Sequence, residues 1–518
     1  MNTSIKRTKD ARESIKVGID KVVDTVKVTI GAKGRNVLIS QGHIFSPTIT
    51  NDGISIAKSI FLPDPFEQAG VLIVRDVATT TNEIAGDGTT TSMVLLQAII
   101  NEGLKHIGEG VNVIELKKGI QEATDKVIQA LKDMSVPVKT LKEARQVAEI
   151  SAESQELGHT IADIVYKIGK NGVVTLEESQ TVGIESHIAE GMQLDKGYVS
   201  PYMSTNLEKL EAEYTDVPVL ILDRKIETFA DMVPLLDKII ASGKRSLVIF
   251  CEDMEGEALT SAILNKTKGV IGIVAVAVSK IDMEDIATLT GGTVVSDESG
   301  IKLGEAELSI LGMAKKVQSS KNKTVIVAGQ TKEVNEKVKQ LIAQKELVSD
   351  KTRLEDRIAR LTGGVAVIKV GAATESDRTY LKLKVEDAVN ATKSAMEEGI
   401  VIGGGSALIK ASRVLGNTVG DRIVKQAIQE PLKQICRNAG MEGDDIYEVL
   451  HILNESDAKV GYDVFTNTIQ NDMFKAGIID PVKVTRTALL NSSSAASTFL
   501  TTDAALANIE EKDEIKRN

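Results

Sequence analysis

The hydrophobic pattern of this chain changes period along its length, and that change limits the folds open to it. Ile15, Ile19, Val22, Val23 and Val26 recur at helical spacing, which predicts an amphipathic helix over about 11–28. Helical spacing resumes over 65–133, broken at Gly86-Asp87-Gly88. The middle differs. Val217–Leu222, Ser246–Phe250, Val270–Val278 and Gly292–Ser296 read as strands, and helical patterns near 229–241, 256–267 and 283–290 lie between them. Strands alternating with helices imply βαβ units and a largely parallel sheet. A polar helix rich in Lys, Glu and Arg over 331–360 closes this block, and helical spacing returns over 380–397, 405–415 and 420–440. The order is helical, α/β, helical, with the middle block a domain of its own.

Composition narrows the function classes. With 518 residues, about three domains are expected at roughly 150 residues each. An apolar content of 42% excludes wholesale disorder, and an aromatic share of 3% without Trp requires aliphatic cores. A net charge of −11 argues against a nucleic-acid-binding surface. Cys251 and Cys436 lie far apart, so neither a zinc framework nor a disulfide scaffold is expected, which fits a reducing compartment. His43, His106, His159, His187 and His451 show no metal-ligand spacing. The longest apolar run, about ten residues, is too short for a bilayer. The N-terminal segment MNTSIKRTKDARESIK shows no signal region. A cytoplasmic protein is the expectation.

The sharpest local feature is Gly86-Asp87-Gly88-Thr89-Thr90-Thr91 before a helix that is apolar on nearly every side. Glycines let successive N–H groups converge on an anion, the helix dipole adds positive potential, and Asp87 suits a Mg²⁺ between itself and phosphate. The same residues also serve as an ordinary capped helix start, since Asp and Thr are common N-caps. Neither a GxxxxGK[ST] loop nor a Rossmann glycine pattern is present. Gly31-Ala32-Lys33-Gly34-Arg35 and Gly403-Gly404-Gly405 are further glycine loops, each also readable as a turn. Asn51-Asp52-Gly53, after short strand-like runs at 36–40 and 47–50, reads as a hairpin-type turn. Alone, Asp52 and Asp387 read as solvated residues. Val233, Leu236 and Ile240, and Leu259, Ile263 and Leu264, form stripes that suit either a core or an exposed groove.

Longer segments carry more. Lys27–Val37 (KVTIGAKGRNV), Pro47–Ala57 (PTITNDGISIA), Ala85–Thr91 (AGDGTTT), Ile286–Thr293 (IATLTGGT), Leu361–Glu375 (LTGGVAVIKVGAATE), Val385–Gly405 (VEDAVNATKSAMEEGIVIGGG) and Ile479–Ala488 (IDPVKVTRTA) run in order along nearly the whole chain. Through them the chain resembles the group I chaperonins, the GroEL family. The resemblance implies a multidomain GroEL-like chaperonin fold. A mainly helical equatorial domain would take residues 1–133 and 398–518, a small α+β intermediate domain 134–190 and 366–397, and an α/β apical domain 191–365. It implies ATP with Mg²⁺ and K⁺, seven-membered rings stacked in pairs, a GroES-type lid, and non-native polypeptides enclosed for folding. Nucleic acid and membrane are not implied as partners.

Carried over position by position, the resemblance places phosphate contacts at Thr29, Ile30, Gly31, Asp87, Gly88, Thr89, Thr90 and Thr91. Asp87 would hold the Mg²⁺, Gly404 would touch the nucleotide and Asp480 the ribose. Asp387 would position or deprotonate the attacking water, with Asp52 assisting. Tyr198, Tyr202, Met203, Val233, Leu236, Leu259, Ile263 and Leu264 match apical positions that bind clients and lid. In an aromatic-poor chain, Tyr198, Tyr202 and Met203 are expected as surface rather than core. Gly191 and Gly364 match one hinge, Pro137 and Gly399 the other.

Some nucleotide positions depart from the family pattern. Asn51 replaces a Lys and Ala32 a Pro, while Asp463-Val464-Phe465 replaces an Asn-Ala-Ala at the base-contacting loop. The segment between Val278 and Ile286 is about six residues short, and the chain ends without Gly-Gly-Met repeats. An ATP-driven folding machine is therefore weighed against a ring-forming holdase with weak ATPase. A metabolic α/β enzyme would rest on the middle block alone.

Overall fold

The computed structural model describes residues 2–40, 47–169, 172–179, 181–189, 191–206, 210–296, 299–328, 331–345, 354, 357, 358, 360, 361 and 365–509. The chain divides into two compact units. One comprises Met1–Tyr166, Gln180–Val182 and Gly371–Asn518, the other Lys167–Ser179 and Gly183–Val370.

The first unit is built around helix Thr89–Gly108, where Met93, Leu95, Leu96 and Ile99 are fully buried. A helix apolar all round must be enclosed. Helices Pro65–Ala85, Val113–Asp133, Val419–Ala427 and Val482–Leu500 pack against this core. Small residues permit close approach. Helix 482–500 buries Ser492, Ser493, Ala496 and Ser497, and Thr124 Oγ1 donates to Ser493 Oγ at 2.9 Å. Helices Thr8–Val26 and Pro65–Ala85 meet through glycines. A Cβ on Gly18 would run into the Glu67 carbonyl, and one on Gly70 into the Ile15 carbonyl. The two ends of the described chain are joined, since strand Asn2–Arg7 pairs antiparallel with Ala504–Ile509.

In the second unit a seven-stranded sheet is organised by strand Ala212–Ile226. Its C-terminal half runs parallel to Ser246–Met254, which in turn pairs parallel with Gly272–Ala277. The short strand Val294–Val295 also pairs parallel with it. Its N-terminal half pairs antiparallel with Gly312–Ser319, followed by Thr324–Val327 and Gly191–Leu194. The expected parallel block exists, but half of the sheet's pairings are antiparallel. The amphiphilic strand 312–319, with its adjacent Lys315 and Lys316, hides its period among charged residues. Helices Val233–Ala241, Gly256–Thr267 and Lys280–Thr290 match the expected positions to within a few residues. Val173–Glu178, Val365–Gly371 and Gly183–Ala189 form a separate three-stranded sheet. Arg357 clasps Asp285 at 2.9 and 2.5 Å in a buried ion pair, and Arg360 reaches Asp282 at 3.0 Å.

Three local expectations are corrected. The 65–133 pattern has a second break, because Asn112 caps Ile114 N at 2.8 Å and starts a new helix. The 420–440 pattern is two helices, the second being Glu430–Asn438 with Pro431 in its first turn. Asn51-Asp52-Gly53 is not a hairpin turn. Strands Val37–Ile39 and Thr48–Thr50 do pair, but Asp52 is the N-cap of helix Gly53–Ser59. The expected 331–360 helix is described as Thr331–Lys345, with most positions beyond it outside the described residues. Among the described residues no helix is long and apolar enough to cross a membrane.

The glycine contact makes a prediction. Gly18→Ala and Gly70→Ala should each destabilise the chain by about 1–3 kcal/mol, the usual cost of overpacking. Gly108→Ala, where an added methyl meets nothing within 4 Å, should leave the denaturation midpoint unchanged or raised. Urea titrations of the three variants check this.

Candidate functional site

Helix Pro65–Ala85 ends at Gly86, whose φ of +69° closes the last turn through an N–H bond to Asn82 O at 2.8 Å. Asp87 comes next, and Gly88 at φ +81° starts helix Thr89–Gly108. Only glycine adopts this left-handed pair of turns without strain. No side chain caps that helix. Asp87 accepts from Gly88 N at 2.5 Å instead. The ordinary capped-start reading therefore fails, and the N-terminus keeps its dipole and its Thr89, Thr90 and Thr91 backbone donors for something else.

Asp387 is brought to this loop by helix Glu375–Glu398. Asp387, Asn390 and Ser394 share one face at helical spacing. Asn390 Nδ2 donates to Gly86 O at 3.3 Å and Ser394 Oγ to Ala85 O at 2.9 Å. Asp52 arrives from a third element. It caps its own helix through Ile54 N at 3.3 Å and Ser55 N at 3.0 Å. A Cβ on Gly53 would strike Thr90 Oγ1, so the two helix starts are in contact.

The three carboxylates repel one another. Burial, then the charge of Asp52, raises the Asp87 pKa, against the opposing pull of its Gly88 N–H bond and Lys384. Asp387 is raised well above the usual range by burial and by Asp87 and Asp52. Lys384 opposes both shifts. A dication would relieve this crowding, so the donor set is of the kind that Mg²⁺ takes. Among the described residues no group of three or more His, Cys, Asp or Glu is arranged to hold a metal. Mg²⁺ commonly takes one or two carboxylates and completes its shell from phosphates and water, so that arrangement is compatible.

Two more loops frame the site. Thr29 ends the 3₁₀ turn Lys27–Thr29, and Asn438 Nδ2 braces the turn and its exit by donating to Lys27 O and Ile30 O, both at 2.9 Å. Gly31 lies against Ile435, and Ala32 is exposed. Opposite, strand Ile400–Ile402 pairs with Ile479–Pro481, setting Val401 across from Asp480. Asp480 accepts the N–H groups of Gly404 and Gly405, while burial and Asp87 push its pKa up to about 7. The Tyr462 carbonyl lies beside Gly404, which brings the 463–465 turn to the edge. Asp463 is occupied there, accepting from Phe465 N at 2.9 Å and Thr466 Oγ1 at 2.6 Å. Val464 is buried, and Phe465 is 71% exposed.

The model of the TCP-1/cpn60 chaperonin family matches residues 22–510. The chain belongs to that family. Membership makes it a molecular chaperone of an ATP-dependent class. Two crystal structures of the chaperonin gp146 from the bacteriophage EL 2 (Pseudomonas aeruginosa), both obtained with ATP-BeFx, share its fold. Their TM-scores are 0.69 and 0.64, at 20% identity, over 98% of this chain and 99% of theirs.

The second unit of this chaperonin carries the apolar positions, and the structure divides them. Tyr202 is 75% exposed, and Leu264 and Val233 are open as well. Lys266 Nζ donates to Tyr202 O at 2.9 Å, fixing that residue beside helix 256–267. Leu259 and Ile263 are partly buried against the sheet. Met203, Tyr198 and Leu236 are core residues, which corrects the expectation of a surface cluster. Met203 turns inward from the 3₁₀ turn Pro201–Met203, and its sulfur accepts from Ala275 N at 3.3 Å. Tyr198 donates its hydroxyl to Leu210 O at 2.9 Å. Sequence spacing could not reveal which side of a one-turn helix faces in.

The positions expected as hinges differ in kind. Gly399 has φ +83° and ψ −170°, a region open essentially to glycine alone, beside the Val136–Ile400 bridge that Pro137 adjoins. Gly191 has no such requirement. A Cβ there would meet the Val365 side chain and, at 2.5 Å, the Ile326 carbonyl. Gly364 lies outside the described residues. The sequence reading missed Lys384, Glu153, Asn390, Ser394 and Asn438. Helical spacing from Asp387 was the available signal for three of these.

The acid cluster predicts a pH dependence. Asp480 rises from 3.8 to about 7, so the folded chain holds a proton that the unfolded chain has released. Stability should fall as pH rises from about 4 to about 7, and Asp480→Asn should flatten that slope. Urea midpoints of both proteins across that range measure it.

Proposed function

We propose that the chain hydrolyses ATP at the Gly86–Thr91 loop and uses the cycle to enclose non-native polypeptides. One observation carries this reading: a buried helix starts at Gly88 with no side-chain cap, while Asp52, Asp87 and Asp387 converge on the same loop. An anion-binding end surrounded by carboxylates makes sense when phosphate and a cation arrive together. The gp146 crystals contained ATP-BeFx, which supports the same reading here.

In this reading Thr89, Thr90 and Thr91 donate to phosphate oxygens, and Thr29, Ile30 and Gly31 close the other side. Bound Mg²⁺, held by Asp87, supplies charge neutralisation at the phosphates. Asp480 and Gly404 orient the ribose end, and the 463–465 turn flanks the base. Asp387 orients the attacking water and takes its proton, which its raised pKa favours. Asp52 stands near that carboxylate while capping its own helix. Phosphoryl transfer needs such positioning more than covalent help from protein. A three-domain division at 133, 190, 365 and 397, hinged at Pro137, Gly191, Gly364 and Gly399, with K⁺, sevenfold rings and a GroES-type lid, completes the proposal. Motif resemblance supports these features.

Asp387→Ala should retain ATP binding and lose turnover by about 10²–10⁴-fold, the usual worth of a general base. Phosphate release at saturating ATP reads this, and wild-type turnover in the variant refutes the assignment. Mass photometry alongside that phosphate assay separates a ring that turns over ATP from a holdase ring that does not.

Client capture should follow exposure. Tyr202→Ser and Leu264→Ser should weaken binding of an unfolded model protein and leave the melting temperature unchanged. Met203→Ser, buried in the sheet core, should instead lower the melting temperature.

A further inference from the structure

We propose that Lys384 is a phosphate-binding residue, held in reserve by Glu153, which Asn51 helps to position, until a nucleoside triphosphate enters. The proposal rests on the nucleotide reading above and names a residue that reading does not use.

Lys384 precedes Asp387 by three residues on helix Glu375–Glu398, so it shares the face that meets the Gly86–Asp87 loop. Its side chain is only 10% exposed. Lysines are almost never so buried unless they are paired. The pairing is with Glu153, whose Oε1 accepts from Nζ at 2.7 Å. The same oxygen accepts from Asn51 Nδ2 at 3.2 Å. The Tyr380 ring centre lies 5.9 Å away. An ammonium has three donors, and Glu153 takes one of them.

The ammonium's charge reaches the carboxylates of the loop. Lys384 is the cation that acts on both Asp87 and Asp387. Asn51, the neighbouring polar group at this edge, is neutral. A triphosphate adds negative charge where Asp52, Asp87 and Asp387 already repel one another. An ammonium already at hand offsets part of that charge without long travel. Glu153 is a suitable temporary partner, because its side chain is 52% exposed and water can take over when the lysine leaves. It also sits at a helix end with φ +52°, a conformation that costs a non-glycine residue energy. Lys384 therefore distinguishes a triphosphate, whose terminal group reaches the carboxylates, from a diphosphate.

The test titrates ADP and a non-hydrolysable ATP analogue, with Mg²⁺, into the assembled protein by calorimetry. Lys384→Met should weaken the triphosphate analogue by about tenfold or more, the range of a charge-assisted hydrogen bond, and ADP much less. Lys384→Arg should keep most of the selectivity. Glu153→Gln, which releases the restraint, should bind the analogue as tightly as the parent or more tightly. Equal losses for both nucleotides in Lys384→Met, or no loss, overturn the proposal. An equal loss in Glu153→Gln also overturns it, because Lys384 would then be a brace between two helices. If the parent binds neither nucleotide and Asp87→Asn changes nothing, the nucleotide reading itself falls and this proposal with it. Circular dichroism confirms that each variant is folded.

Discussion

Like charge confined to one small space governs the first unit. Asp52, Asp87 and Asp387 come from three different elements; the charge of Asp52 adds to what burial does in raising the pKa of Asp87, and the charges of Asp87 and Asp52 do the same for Asp387. Isolated, such an arrangement is destabilising, and carboxylates this crowded take up protons or find a cation. The surrounding fold holds them in place. Asp387 cannot withdraw, because Asn390 and Ser394 tie its helix to the carbonyls of Gly86 and Ala85. Asp52 cannot withdraw, because its oxygens cap helix 53–59. The strain sits where a multiply charged ligand and its cation would relieve it, so binding energy is stored in the geometry itself.

The second constraint is steric. The helix that starts at this charged loop is surrounded by others that approach through Ala, Ser and Gly, and the glycine contacts between helices 8–26 and 65–85 leave no room for a methyl group. Aliphatic, nearly aromatic-free cores pack densely with few alternatives, which suits a site whose carboxylates must not drift. The second unit uses the same aliphatic economy differently. Its central strands bury Val219, Leu220, Ile221 and Leu222 on both faces. That leaves a small set of larger side chains, Tyr202 and Leu264 among them, outside.

Much of this was legible in the sequence. Helical periods located the long helices between 8 and 133 and helix 375–398, but no helical pattern was read over 141–152, 155–168, 443–455 or 482–500. Gly86-Asp87-Gly88 marked the candidate site because only a bent backbone needs two glycines around an acid. Asp52 and Asp387 were legible only through resemblance, since a lone Asp in a turn or on a charged helix has many ordinary uses. The antiparallel half of the sheet was hidden in strand 312–319, where lysines interrupt the apolar alternation. Inward and outward sides were hidden at Met203, because a single 3₁₀ turn has too few residues to show a period, and at Tyr198, which lies in an isolated bridge to Val276 rather than in a periodic element. Lys384 was hidden because its meaning depends on Glu153, a residue 231 positions away in the chain.

The pairing of Asn2–Arg7 with Ala504–Ile509 has a consequence for synthesis. The first unit needs helix Val482–Leu500 beside its central helix and a terminal strand beside its first. Neither exists until residues 482–509 have been made, roughly 25–100 s after segment 2–7 at ordinary elongation rates. The second unit, drawn from 167–370, is complete well before that. For much of its birth this chaperone therefore carries an exposed aliphatic helix bundle with its closing elements missing. It is then a non-native polypeptide of the kind that its own family handles, and the emergence of residues 482–509 ends that dependence.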